Sequence, residues 1–257
     1  MILKYLKYFF TAKRRGYGVH SPFAYQLAIK MSKDKKKIIK YTKIENLRKS
    51  LLKSKEQIEV SDFGAGSKKM LDNKRRVSQI VKYSATPPKY GRFLSILVNL
   101  FLPKTILEIG TSAGIGTLYL SSGNPSAKVY TLEGCPQTAK IAENNFSNFS
   151  KNIEIIVGEF DKTLLATLNK IGKLDFVFID GNHRKEATIK YFEAILPFCN
   201  NDTVIVFDDI SWTSEMQEAW HEIKQHEKTK LAINIFKMGV IFLRKEFHNK
   251  EEITLFY

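Results

Sequence analysis

The chain has 257 residues, 44% of them hydrophobic, and a formal net charge of +15. That size and apolar content exclude a chain too polar to bury a core, and suit one large domain or one domain with a substantial extension. Cys135 and Cys199 are the only cysteines, which excludes a disulfide framework and suits a reducing compartment.

Charge is unevenly placed, since the residues before Pro103 carry +18 and the remainder −3. A basic end points to an anionic partner, with nucleic acid, a phosphorylated metabolite or a membrane surface as alternatives to a solvated lysine-rich face. The run Lys33 to Lys37 reads equally as plain solvated charge. No apolar run reaches the roughly 20 residues of a bilayer span. Lys4 and Lys7 interrupt the apolar N-terminus and no small-residue cleavage site follows, so it does not read as a signal peptide. The expected location is cytoplasmic.

From Ile2 to about Lys13, Ile2, Leu3, Tyr5, Leu6, Phe9 and Phe10 fall largely on one side of a helix. Docking on the chain's own core, on a second copy in a homodimer, or on a membrane are the open readings, and the aromatic content favours burial by protein. Ser21 and Pro22 start a second helix, with a capping hydroxyl and a proline at the first turn; Phe23, Leu27 and Met31 give it an apolar face. His20 beside that cap reads as a local hydrogen-bonding residue. Leu47, Leu51 and Leu52 mark a third helix, from about Ile44 to Lys55.

The stretch Asp62 to Ser67, DFGAGS, imitates a cofactor-binding glycine turn. Only Ile58 and Val60 precede it as apolar residues, and no strand ending in an acid follows two dozen residues later. It is therefore read as a turn, with an anion nest or a substrate lid as the functional alternative. Pro87 and Pro88 then lead into a strongly apolar helix from about Lys89 to Leu102.

The stretch from Ile106 to Leu120, ILEIGTSAGIGTLYL, reads as strand, glycine turn and helix. Glycines there let backbone approach a ligand, and the helix N-terminus offers unpaired N–H groups with a partial positive charge. Glu108, Gly110, Thr111, Ser112 and Gly114 are the candidate contacts to a nucleotide-like cofactor. Glu133 ends the next apolar run, where an acid can accept both hydroxyls of a ribose.

Beyond it the elements alternate. Strands at Val129–Leu132, Ile153–Val157, Phe176–Ile179 and Val204–Phe207 are each followed by a helix: Pro136–Phe146, one starting near Asp161, Lys185–Leu196 and Ser214–Lys228. Continuous apolar strands alternating with helices imply a parallel sheet covered on both faces. Two strands joined by a turn at Lys237 to Gly239 close the pattern as a hairpin, and Ile253 to Tyr257 suits one more edge strand. Trp220 reads as core.

Four motifs, ILEIGTSAGIGT, YTLEG, FVFIDGNH and VIVFDDI, together resemble the class I S-adenosylmethionine-dependent methyltransferases, and most the small O-methyltransferases of the catechol type. The resemblance spans Ser84 to Arg244. It implies an α/β, Rossmann-like, doubly wound and mostly parallel sheet with a C-terminal antiparallel hairpin strand, as a catalytic domain over residues 84–257. Residues 1–83 would be a basic, mainly helical extension, capping the substrate side or docking. S-adenosylmethionine is the implied cofactor, with Gly158, Glu159 and Phe160 near its adenine and Ser84 to Thr86 folded over it.

Asp180, Asp208 and Asp209 sit at strand ends where the catechol-type enzymes hold a divalent metal through Asp, Asp and Asn. Asp209 departs from that asparagine, which leaves Mg2+ or another ion open. His183 stands where the family places a catalytic lysine, and a histidine can take a hydroxyl proton near neutral pH. Asp180 could share that role, and Trp212 is placed to wall an aromatic acceptor. The expectation is methyl transfer to a hydroxyl of a small molecule. A tRNA or other RNA acceptor, a dinucleotide-dependent oxidoreductase and a non-catalytic binding protein are the alternatives.

Overall fold

The computed structural model describes residues 2–34, 38–61, 74–247 and 249–257. The DFGAGS stretch, residues 62–67, lies outside the described residues. The described N-terminal part carries helices α1 (Ile2–Thr11), α2 (Pro22–Asp34), α3 (Thr42–Leu51) and α4 (Val77–Ser84) and a small antiparallel pair, β1 (Gln57–Glu59) and β2 (Lys74–Arg76). Then come α5 (Pro88–Phe101), β3 (Thr105–Ile109), α6 (Ile115–Gly123), β4 (Lys128–Glu133), α7 (Pro136–Phe146) and β5 (Ile153–Val157). They are followed by α8 (Phe160–Ile171), β6 (Leu174–Ile179), α9 (Lys185–Ile195), β7 (Cys199–Phe207) and α10 (Ser214–Gln225). The strands β8 (Leu231–Ile235), β9 (Met238–Phe242) and β10 (Glu251–Thr254) close the chain.

Eight strands form the central sheet in the order β10-β8-β9-β7-β6-β3-β4-β5. Strands β3 to β7 pair in parallel, β9 inserts antiparallel between β7 and β8, and β10 lies parallel to β8 at the edge. The chain runs outward from β3 through β4 and β5, then crosses back to β6 on the other side of β3. Such a reversal opens a crevice at the carboxyl ends of β3 and β6, where ligands of open α/β sheets bind.

Alternation along the strands builds the two faces. Ile106, Val129, Phe176, Phe178, Val204 and Val206 pack with α5 and α2, while Leu107, Ile109, Val177, Ile179, Ile205 and Phe207 pack with α8, α9 and α10. Burial on both sides is why these strands are apolar throughout rather than alternating.

The described N-terminal residues have no core of their own. Ala24, Leu27 and Met31 of α2 join the α5 face of the sheet, and Ile44, Val77 and Val81 join Ile115, Leu118 and Tyr119 of α6. Glu45 of α3 accepts from Arg92 of α5, with Nε at 2.8 Å. Helix α1 docks on the C-terminal tail: the Tyr8 hydroxyl donates to the Leu255 carbonyl at 2.8 Å and accepts from the Tyr257 amide at 3.0 Å. Leu3 and Phe10 on the same helix remain exposed. Among the described residues no helix is long and apolar enough to cross a membrane.

Candidate active site

The crevice begins at the glycine turn after β3. Gly110 has φ 105°, and a Cβ there would lie 2.6 Å from the Asp180 carbonyl oxygen, so glycine is what lets the ends of β3 and β6 close on each other. Ser112 (φ 49°) and Gly114 (φ 80°) are also left-handed, and Gly114 caps α6. This conformation aims the N-terminus of α6 into the crevice.

Beneath the turn, Glu108 is buried. Its Oε2 accepts from the Thr117 hydroxyl and, at 2.6 Å, from Thr131, which in turn lies 2.6 Å from the Thr111 hydroxyl. Burial pushes its carboxyl up to about 8, opposed by the two threonine hydroxyls. Glu108 therefore braces the turn from below, and Thr111 faces this buried chain. Thr86, ahead of α5, approaches the same place: a Cβ on Gly116 would lie 2.8 Å from the Thr86 hydroxyl and 3.0 Å from Glu108 Oε1.

Glu133 ends β4 beside the turn. Its Oε2 accepts from the Ser112 amide at 2.8 Å and its Oε1 from the Cys135 amide at 3.0 Å. Burial raises its pKa, and the amides of Cys135, Ser112, Gly134 and Thr111 oppose the rise by stabilising the charged form. The carboxylate is thus oriented by backbone and keeps acceptor capacity for a diol. Ser61 donates its amide to Cys135 Sγ at 3.4 Å, which brings the end of the β1 segment to this acid.

Gly158 (φ 143°) follows β5 and donates its amide to the Glu133 carbonyl at 2.9 Å. Glu159 caps α8 and pairs with Lys162 at 2.9 Å. Phe160 packs edge-on against Tyr191 and closes on Gly181, where a Cβ would lie 2.5 Å from its ring. These three residues line the β5 side of the crevice.

On the β6–β7 side the three aspartates converge with His183. His183 Nε2 lies 3.8 Å from Asp180 Oδ1 and 3.9 Å from Asp209 Oδ2. Its ring stands perpendicular to that of Trp212, at 5.7 Å between centroids, and Trp212 is 47% exposed, a large aromatic face left open at the mouth. Three buried polar atoms here have no hydrogen-bond partner: Ser112 Oγ, Asn182 Oδ1 and Asp208 Oδ1. Native interiors leave few such atoms, and these three follow the carboxyl ends of β3, β6 and β7.

Lys237, which the sequence places in a plain hairpin turn, completes the cluster. Its Nζ lies 2.6 Å from Asp208 Oδ2 and 3.3 Å from Asp209 Oδ1. Burial would lower its pKa, but Asp208, Asp209 and Asp180 outweigh that and hold it charged. Burial and the neighbouring Asp208 raise the Asp180 carboxyl well above its usual range. A divalent cation, which the resemblance places on Asp180, Asp208 and Asp209, does not fit this arrangement. An ammonium already pairs two of the three carboxylates, and among the described residues no group of His, Cys, Asp and Glu is arranged to hold a metal ion.

Lys237 was legible only through register. Phe207 pairs with Gly239 across the antiparallel β7–β9 ladder, so the turn before β9 must fall beside Asp208 and Asp209.

Comparison with known proteins follows the same lines. Residues 107–210 match the family model of a methyltransferase domain. Over 129 residues the chain is 32% identical to a catechol O-methyltransferase of Mycobacterium tuberculosis, covering 49% of this chain and 57% of that protein. A catechol O-methyltransferase of Niastella koreensis is 31% identical over 127 residues, covering 48% of this chain and 57% of that protein. The chain thus spans a little over half the length of these curated relatives. A cofactor-bound protein of MTB superposes with a TM-score of 0.55 at 27% identity, over 63% of this chain and 83% of that one. An O-methyltransferase of Bacillus cereus, solved in complex with SAH, gives 0.52 at 24% identity over 62% and 83% of the two chains. The fold is that of the class I methyltransferases.

Proposed function

We propose that this chain is an S-adenosylmethionine-dependent O-methyltransferase acting on a hydroxylated small molecule, with a catechol-like aromatic alcohol as the acceptor to test first. The observation that carries the reading is the meeting, at one switch point of the sheet, of a glycine turn braced for a cofactor and a histidine set among carboxylates beneath an open tryptophan. Relatives named as catechol O-methyltransferases support it.

S-adenosylmethionine, when bound, supplies an electrophilic methyl group on a sulfonium that leaves as a neutral thioether. The residues present fit it: Glu133 would accept the ribose hydroxyls, the turn from Gly110 to Gly114 would let the cofactor approach the backbone, and Phe160 would wall its base. Ser112 Oγ and Asn182 Oδ1, buried without partners, are the polar atoms that such a guest would satisfy.

His183 would take the proton of the acceptor hydroxyl as its oxygen attacks the methyl carbon. The carboxylates 3.8 and 3.9 Å from its Nε2 stabilise the imidazolium that forms. Trp212 would hold an aromatic acceptor edge or face against that histidine. No step of this reading passes through a metal.

The test is transfer of labelled methyl from S-adenosylmethionine to a panel of catechols and related phenols, with the product's methylated atom identified. His183→Gln should lower turnover by roughly 10²- to 10⁴-fold, the range of a general base, with cofactor affinity unchanged. If no hydroxylated acceptor is labelled, or if His183→Gln turns over as wild type, the reading fails.

A further inference from the structure

We propose, building on that reading of the site, that Lys237 stands in the place of the divalent cation: its ammonium is the built-in counter-charge of the Asp180–Asp208–Asp209 cluster, which holds no metal while that side chain is present. Lys237 reaches two carboxylates at once, Asp208 Oδ2 at 2.6 Å and Asp209 Oδ1 at 3.3 Å. An ion bound by those oxygens would lie within a few ångströms of the ammonium, where like charges repel strongly.

The lysine is held, not a surface side chain that swings aside. It sits in the tight β8–β9 turn after Phe236, which has φ 68°. The Lys237 amide donates to the Ile235 carbonyl at 3.0 Å, and the Lys237 carbonyl accepts from the Ile210 amide at 3.0 Å. The Phe236 carbonyl accepts from the Ser211 hydroxyl at 2.6 Å. Both turn carbonyls are therefore pinned to the loop that carries the aspartates. Above the ammonium lies the Tyr90 ring, with its centroid 5.8 Å from Nζ. Phe236 is covered in turn by Tyr5 and Tyr8 of α1, at 5.1 and 5.4 Å between ring centroids, so the N-terminal helix buttresses the turn.

An ammonium has three N–H donors. Asp208 and Asp209 engage two, which leaves one for the acceptor's oxygen. Lys237 would then give that oxygen a fixed positive neighbour while His183 takes its proton.

The test needs no acceptor. Mn2+ is titrated into the full-length wild type and into Lys237→Met, which keeps the bulk and removes the charge, with bound ion read by electron paramagnetic resonance. S-adenosylmethionine affinity of the same samples is read by calorimetry. The expected result is no saturable Mn2+ binding at the cluster in wild type to millimolar ion, and one site gained in Lys237→Met that the added Asp208→Asn removes. A single wild-type Mn2+ site that Asp208→Asn abolishes overturns the proposal, whether or not the lysine variant folds. So does a folded Lys237→Met that binds no ion. Calorimetry keeps the two readings apart, because loss of cofactor binding would sink the methyltransferase reading and leave the ion result standing.

Discussion

At the scale of single residues, the crevice is set by buried ionisable groups whose neighbours decide which form is stable. Glu108 is the clearest. Its carboxyl keeps its proton to about 8 when folded, against an ordinary value of 4.5, because burial penalises the charge more than Thr117 and Thr131 reward it. Between those two values the folded state binds more protons than the unfolded one, so stability falls as pH rises through the window and levels off above it. At about 1.4 kcal/mol per pKa unit the change amounts to a few kcal/mol. Denaturant unfolding at pH 5 and pH 8 should therefore show wild type losing stability relative to Glu108→Gln. An equal change in both proteins would mean that Glu108 is charged when folded.

The same scale shows where sequence reasoning stops. Glu133, Asp180 and Asp208 were singled out because each stands at the end of an apolar strand, and in a parallel sheet all such ends lie together, whereas His183 was singled out by the family resemblance. Glu108 was read as a cofactor contact, and the structure puts its carboxylate on two threonines below the turn. Nothing in the one-dimensional pattern distinguishes an acid that faces the crevice from one that braces it. Lys237 was missed for a related reason: its partners lie 29 and 28 residues away, and only the antiparallel register of β9 brings them together.

At the scale of elements, strands buried on both faces announced themselves, and β5 and α7 fall within the bounds read from the sequence. Helix α4 and the β1–β2 pair did not. The residues of β2, Lys74, Arg75 and Arg76, are polar because the small pair lies at the surface, and α4 is only eight residues long, with three buried apolar residues, Val77, Ile80 and Val81. The N-terminal helices read as an extension, yet they lend side chains to the same cores as the sheet. Deleting residues 1–83 would strip Leu27, Met31, Ile44 and Val81 from those cores, and each large buried apolar residue lost typically costs 2–5 kcal/mol. A domain's total stability is only about 5–15 kcal/mol. The truncated chain is thus expected to show no cooperative thermal transition by circular dichroism. A sharp transition near that of the full chain would show that residues 84–257 are a self-sufficient domain.

At the scale of the whole molecule, the sheet reversal between β3 and β6 gathers the donor side and the acid–base side into one crevice. The hairpin at the other edge brings Lys237 to the same place. Every role assigned above depends on S-adenosylmethionine seating between the glycine turn and Glu133, so its calorimetric titration into wild type and Glu133→Gln is the most direct measurement. One site is expected in wild type. In the folded variant, affinity should fall about ten-fold or more, as befits charge-assisted hydrogen bonds worth roughly 1.5–3 kcal/mol. Absence of binding in wild type, or equal affinity in the two proteins, would contradict that seating.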